Sequence, residues 1–402
     1  MAKTAGLTAE VAIVGAGAAG LTASLALAGA GRETVLVAKP ARPDNRTTAL
    51  LAGSVTALET LGVWPTLADR AAPLRTLRIV DDTARLLRAP EARFEAGEID
   101  LAAFGHNIEN WHLLAALQAR AAELPALARL DDAVEAIDVG EQHVMLRLKS
   151  GNRITARLVI GADGHRSMCR TAAGIGVDSW HYPQSALTIN IGHTRPHDFI
   201  STEFHTESGP FTLVPLPGAR SSIVCVSDTA QIDRLAALDD TVLAQQIEQK
   251  SHSIVGKISV EQGRGNFPLA METARSFGRN RIALIGDAAH RLPPIGAQGL
   301  NLGLRDAVTI AELVAQASGG DSGNPELLAR YDRLRRVDVT SRSVAVDLLN
   351  RSLLSGFLPV QGARGFGFYL MNRIGPLRRA VMREGVAPAT AQPRLMRGEA
   401  LV

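Results

Sequence analysis

Cysteine and aromatic side chains are scarce in this chain. Two cysteines in 402 residues, Cys169 and Cys225, exclude a disulfide framework, and a reducing cytoplasm is the natural setting. Neither sign of charge dominates. The 43 basic and 40 acidic residues leave a net charge of +3, too little to attract nucleic acid through bulk electrostatics. There is no HExxH segment and no CxxC pair, so no metal site is expected. Internal repeats and low-complexity linkers are missing too. The one long uncharged run covers the 21 positions from Val11 to Gly31, long enough to span a bilayer. Its pattern reads instead as a strand, a glycine turn and a helix. No basic n-region precedes it, as a signal peptide would require.

Glycine is what the chain has in quantity. The 37 glycines sit in an otherwise ordinary globular composition, 46% hydrophobic and 21% charged, at a length that suggests two or three domains. The first cluster follows the apolar run Val11-Ala12-Ile13-Val14. Gly15-x-Gly17-x-x-Gly20 then opens an alanine- and leucine-rich helix, so the dinucleotide fingerprint stands in its proper context. Gly15 permits the tight turn, Gly17 lets a pyrophosphate approach the backbone, and Gly20 lets helix and strand pack closely. Ala18 and Ala19 complete the helix start, whose free N–H groups suit phosphates. The next strand, Thr34 to Val37, should end in a carboxylate for a ribose diol. It ends in Ala38-Lys39-Pro40, so no acidic ribose ligand is assigned. Lys39 meeting a phosphate is one alternative.

Two further apolar strands end in glycine turns. Leu158-Val159-Ile160 leads into Gly161-Ala162-Asp163-Gly164 and then Ser167-x-x-Arg170. Ile282 to Ile285 leads into Gly286-Asp287-Ala288-Ala289-His290, followed by Pro293, Pro294, Gln298, Gly299, Leu300, Asn301, Gly303 and Asp306. Asp163 and Asp287 read equally as helix N-caps and as ligands. His290 reads as structural rather than catalytic.

Together these three segments resemble the class A FAD-dependent aromatic monooxygenases, whose fold is that of para-hydroxybenzoate hydroxylase. Asp44-Asn45-Arg46-Thr47-Thr48-Ala49-Leu50, the segment from Asn107 to Leu114, and the complete pattern from Gly286 to Asp306 are similar to the ubiquinone-biosynthesis hydroxylases, the UbiH, UbiF and VisC group. The resemblance implies an α/β fold: a Rossmann-like FAD-binding domain interleaved with an antiparallel β-sheet substrate domain, and a C-terminal helical segment. The FAD-binding domain is expected from residues 1–70, 105–177 and 268–345, the substrate domain from 71–104 and 178–267, and the helical segment from 346–402.

The resemblance further implies that Gly15, Gly17, Ala18, Ala19, Gly20, Arg46, Asn110, Asp163, Gly164, Gly286, Asp287, Pro293, Gly299, Leu300 and Asn301 bind FAD, with Asp287 on the ribityl chain. NAD(P)H would be the reductant and molecular oxygen the co-substrate. The implied reaction is ring hydroxylation of a polyprenylated phenol through a flavin C4a-hydroperoxide. No catalytic base is identified. Alternatives are a class A monooxygenase for a soluble aromatic, an NAD-dependent dehydrogenase suggested by the first motif alone, and a non-catalytic FAD-binding subunit of a biosynthetic complex. Near the C-terminus Phe357, Phe366, Phe368 and Tyr369 interleave with Arg351, Arg373, Arg378, Arg379 and Arg383. Such a surface suits either a peripheral site on the inner membrane or packing on the body of the enzyme.

Overall fold

The computed structural model describes residues 6–39, 44–85, 88–317, 320–354, 357–386 and 392–401. Its first sheet is built on five parallel strands, in the order Ile282–Leu284, Arg153–Gly161, Gly6–Val14, Thr34–Ala38 and Leu127–Asp131. Val11, Ala12 and Ile13 are fully buried, as expected of a central parallel strand covered on both faces. The uncharged stretch therefore divides between this strand and the helix Ala18–Gly29. That helix is buried along nearly its whole length, against the sheet and the helices Asn110–Ala122 and Gln298–Gln316, as an all-round apolar helix must be. No helix among the described residues is long and apolar enough to cross a membrane.

The second sheet has nine strands, and the path through eight of them runs from His290–Arg291 to Ala92–Glu95. Its centre is an antiparallel meander of Val177–His193, Arg220–Asp228, Gly209–Leu216 and Ile200–Thr206. Thr76–Asp81 extends it in parallel beside Ile200–Thr206. One face carries Leu187, Ile189, Ile223, Phe211, Leu213 and Phe204. It is sealed by Ile232 and Leu235 of helix Thr229–Ala237 and by Leu243 and Ile247 of helix Asp240–Lys250. The opposite face meets a third, three-stranded sheet of Thr47–Leu51, Gly105–Glu109 and Ala71–Pro73, from which Asn107 donates to the Pro215 carbonyl at 3.0 Å and Thr47 to Ser222 Oγ at 2.9 Å.

Strand Gly265–Ala274 pairs along Val177–His193, so the boundary expected between residues 267 and 268 falls inside a strand of the second sheet. The boundary expected between 345 and 346 falls inside the 30-residue helix Pro325–Leu354. This helix ties the two sheets together. Its Tyr331 hydroxyl donates to the Leu284 carbonyl at 2.8 Å. Further along, Asp347 accepts from the Tyr182 hydroxyl at 2.7 Å, and Asn350 donates to the Gln184 side chain at 3.2 Å. Helices Leu358–Arg373 and Gly375–Val386 follow, and Phe368, Met382 and Val386 pack on Ala92 and Phe94 at the far edge of the second sheet.

Candidate cofactor and substrate site

The three glycine turns meet at the carboxyl end of the parallel strands, the crevice where open α/β sheets bind ligands. Gly15 has φ +110°, and a Cβ there would collide with the Ala162 carbonyl of the second turn. At Gly20 a Cβ would strike the Gly15 carbonyl and lie 3.1 Å from the Ala162 Cβ. At Gly303 it would lie 3.1 Å from the Gly286 Cα and 3.6 Å from the Ala19 Cβ. First, second and third turns are thus held backbone to backbone. Arg170 fastens the last two by donating to the Ala288 carbonyl at 2.9 Å and to the His165 carbonyl at 2.7 Å.

Gly17 has a different environment. It is exposed, and a Cβ built on it would meet nothing within 4 Å. It caps helix Ala18–Gly29 without any side-chain hydrogen bond. Helix Gln298–Gln316 also begins without a side-chain cap, at Ala297, which is held in the left-handed region at φ +54°. That conformation costs a non-glycine residue about 1–2 kcal/mol. It follows the Pro293-Pro294 turn, with Pro293 buried. Gly299, like Gly17, has open space at its Cβ position, while Leu300 leans on the core. Two neighbouring helix N-termini therefore present unsatisfied N–H groups and positive potential. A pyrophosphate and the electron-rich edge of a flavin ring fit these two positions. The open Cβ space at Gly17 and Gly299 is what close backbone approach requires.

The carboxylates divide by role. Asp287 is exposed and makes no hydrogen bond or ion pair among the described residues, so its oxygens are available to hydroxyl groups. Asp163 is committed: it accepts from Ser167 Oγ at 2.6 Å and from the Cys169 amide at 3.1 Å. The N-cap of the short helix Met168–Ala172 is Ser167, which accepts from the Arg170 amide at 2.9 Å, so Asp163 braces that cap rather than being it, with Gly164 at φ +81° in the turn. Asp44 accepts both arms of the Arg46 fork at 2.8 Å each. Asp44 also accepts from Asn110 at 2.9 Å, and Asn110 in turn accepts from Thr48 at 2.6 Å. Burial opposes ionisation of Asp44, but these donors prevail and lower its pKa. Asp44 raises the pKa of Arg46, with a contribution from the Asp287 charge, which puts the Arg46 loop beside the third turn. Lys39, at the end of the strand that lacks the ribose acid, is exposed.

Asn301 lies outside the open part of the cleft. It is buried, and both ends of its amide are occupied. Oδ1 accepts from the Leu51 amide at 2.8 Å and Ser54 Oγ at 2.7 Å, while Nδ2 donates to the Ala49 and Ala297 carbonyls at 2.8 and 2.6 Å. It clamps the start of the helix to the Thr47–Leu51 strand.

Beneath the third turn lies a buried ionic cluster for which only Asp306 and His290 gave a sequence signal. Asp306 is completely buried and accepts from the Gly286 amide at 3.0 Å, His290 Nε2 at 2.6 Å and Arg335 Nε at 2.6 Å. Burial would raise its pKa, but His290 and Arg335 hold it down at about 2. Arg335 also donates to Asp338, which receives Arg305 as well. With no exposed surface and a ring nitrogen spent on Asp306, His290 is structural.

A parallel sheet with a phosphate-suited turn, a largely antiparallel sheet joined to it through a small third sheet, and two uncapped helix starts suit a protein that binds a dinucleotide cofactor such as FAD. Comparison with known proteins carries this further. Residues 8–344 match the FAD binding domain family. The chain is 34% identical over 362 residues to ubiquinone hydroxylase UbiL of Rhodospirillum rubrum, covering 88% of this chain and 83% of that protein. It is 33% identical to the 3-demethoxyubiquinol 3-hydroxylase of Escherichia coli, covering 93% and 97%. Among solved structures, p-nitrophenol 4-monooxygenase of Pseudomonas putida superposes with a TM-score of 0.75 at 18% identity, over 96% of this chain and all of that one. The chain belongs to the ubiquinone-biosynthesis hydroxylase family of FAD-dependent monooxygenases.

Proposed function

We propose that this protein hydroxylates the aromatic ring of a polyprenylated phenol in ubiquinone biosynthesis, using FAD, NAD(P)H and molecular oxygen. The observation that carries the reading is the single cleft made by three glycine turns, two uncapped helix N-termini and the unengaged Asp287, with the neighbouring Arg46 loop touching the inner face of the second sheet at Asn190 and Gly265. Its support is the family membership and the names of the relatives.

In this reading FAD, when bound, supplies the redox and oxygen chemistry, and the chain binds, orients and shields it. Gly15, Gly17, Ala18, Ala19 and Gly20 receive the pyrophosphate, and Asp287 takes a ribityl hydroxyl. The start of helix Gln298–Gln316, with Gly286, Pro293, Gly299 and Leu300, receives the ring edge that gathers negative charge. Arg46, supported by Asp44 and Asn110, serves a phosphate or the flavin edge. Asp163, Gly164 and Asn301 act by fixing the turns that make these contacts.

The C-terminal helices favour a membrane-facing role within the same reading. Phe357, Phe366 and Tyr369 are 67%, 60% and 49% exposed at the cap and along helix Leu358–Arg373, where the exposed Arg373 also lies, and the exposed Arg379 and Arg383 follow on helix Gly375–Val386. Apolar rings with interleaved arginines suit an anionic lipid surface, where a polyprenylated substrate partitions. Purified protein should release FAD on denaturation and oxidise NAD(P)H faster with an octaprenyl phenol than with soluble phenols. Stimulation by soluble phenols alone would replace this substrate with a small aromatic. Tight FAD binding with no stimulation by any phenol would favour a non-catalytic subunit.

A further inference from the structure

A row of directly paired residues crosses the inner face of the second sheet. It runs Thr188, Val224, Thr212, Glu203, Ile79 and Ala92, one from each successive strand. The first five are half-exposed, although the strands at the centre of the row are interior to the sheet and their other face is sealed by helices. The row therefore lines open space. One end adjoins the cofactor cleft: Thr188 Oγ1 approaches the Gly265 carbonyl at 3.5 Å, and a Cβ at Gly265 would lie 3.9 Å from Arg46 Cγ. The other end is apolar, where Leu77, Ile79 and Phe94 pack with Phe368, Met371 and Met382 of the C-terminal helices.

Glu203 stands where the row changes character. Strands lie about 4.8 Å apart, so it is about 14 Å across the sheet from Thr188. Its Oε1 is bound to His205 Nε2 at 2.7 Å, and its Oε2 receives Thr212 Oγ1 at a long 3.4 Å. His205 is buried, 2% exposed at the side chain, whereas Glu203 is 22% exposed. The His205 ring faces Phe368, centroids 6.5 Å apart. A carboxylate oxygen offers two lone pairs, so Oε2 retains capacity toward the open space. Burial alone would raise the Glu203 pKa, but the hydrogen bond and charge of His205 outweigh it and lower the value. The group is therefore a fixed anionic acceptor rather than a strong base.

We propose that Glu203 accepts a hydrogen bond from the ring hydroxyl of the phenolic substrate, with His205 as the positioning residue that aims it and the Leu77–Ile79–Phe368–Met371 cluster receiving the first units of the prenyl chain. This rests on the ring-hydroxylation reading above. A charge-assisted bond to the hydroxyl draws electron density into the ring, the property that oxygen transfer to an aromatic carbon demands. It also selects a free phenol over its ether.

The test uses the full-length, FAD-loaded protein and two probes, 2-(3-methylbut-2-enyl)phenol and its methyl ether, with binding followed by perturbation of the flavin absorbance. The wild type should prefer the phenol by about 10- to 100-fold, the range of a hydrogen bond to a charged group. E203Q should reduce the preference below about threefold while leaving ether affinity and FAD content unchanged, because the charge of the acceptor sets the gain. Should E203Q not fold, E203D keeps the charge but retracts it by one carbon–carbon bond, and should likewise lose most of the preference. A wild-type preference in whichever variant folds overturns the acceptor assignment alone. Failure of the FAD-loaded wild type to bind either probe overturns the substrate reading beneath it as well.

Discussion

Replacing Asp306 with Asn probes the cluster that holds the third turn in place. In the wild type the carboxylate accepts from the Gly286 amide, His290 and Arg335, all in a region with no solvent access. An asparagine has one acceptor oxygen, and its amide nitrogen would meet a second donor. Arg335 would keep Asp338 but lose its shortest partner. Breaking a buried pair in this way costs about 3–5 kcal/mol. An independent figure comes from proton linkage. The pKa of Asp306 falls from 3.8 to about 2 on folding, which corresponds to about 2 kcal/mol at neutral pH. Because the folded value is depressed, this stabilisation is fully present above pH 4 and is lost as pH falls through about 2. The gap in urea midpoint between wild type and D306N should therefore be large at pH 7 and should narrow by about 1 kcal/mol equivalent at pH 3. FAD retention should fall too, since the Gly286 amide loses its anchor. A D306N protein as stable as wild type at pH 7, or a gap that does not change with pH, would refute the role assigned to this charge.

Asp287→Ala tests the opposite kind of carboxylate. Asp287 is exposed and unengaged, so stability of the FAD-free protein should stay within about 0.5 kcal/mol while bound FAD per chain drops after gel filtration; a wild-type FAD content would remove Asp287 from the site. Asn301→Ala deletes four buried hydrogen bonds and should destabilise the protein by about 2–4 kcal/mol, visible as a lower thermal midpoint even without FAD. If N301A loses FAD but keeps the wild-type midpoint, Asn301 touches the cofactor instead of clamping the helix.

The contrast between these residues explains how far the sequence could be read. Glycine turns are legible because the requirement is local: a positive φ or a missing Cβ leaves a residue type that no other can replace, and three such turns after three apolar strands specify one crevice. The family resemblance added the second sheet and the substrate class. Polar motif residues are less transparent. Asp163 and Asp287 stand in strand-to-helix turns and Asn301 in the first turn of a helix, yet one braces a cap, one is free and one clamps, because the outcome depends on hydrogen-bond partners up to 252 positions away. Arg335 and Glu203 gave no signal of their own. Arg335 follows no motif, and its partner lies 29 residues earlier on another helix. Glu203 and His205 sit two apart on a strand and so share a face, but their sequence cannot say whether that face meets helices 229–250 or the cleft. That choice is made by register: Phe204 pairs with Phe211 on the sealed side, which turns Glu203 and His205 inward. A residue whose role depends on strand register becomes readable only once the pairing is known, and it is there that this cleft keeps its one inward-facing carboxylate–histidine pair among the described residues of the central strands.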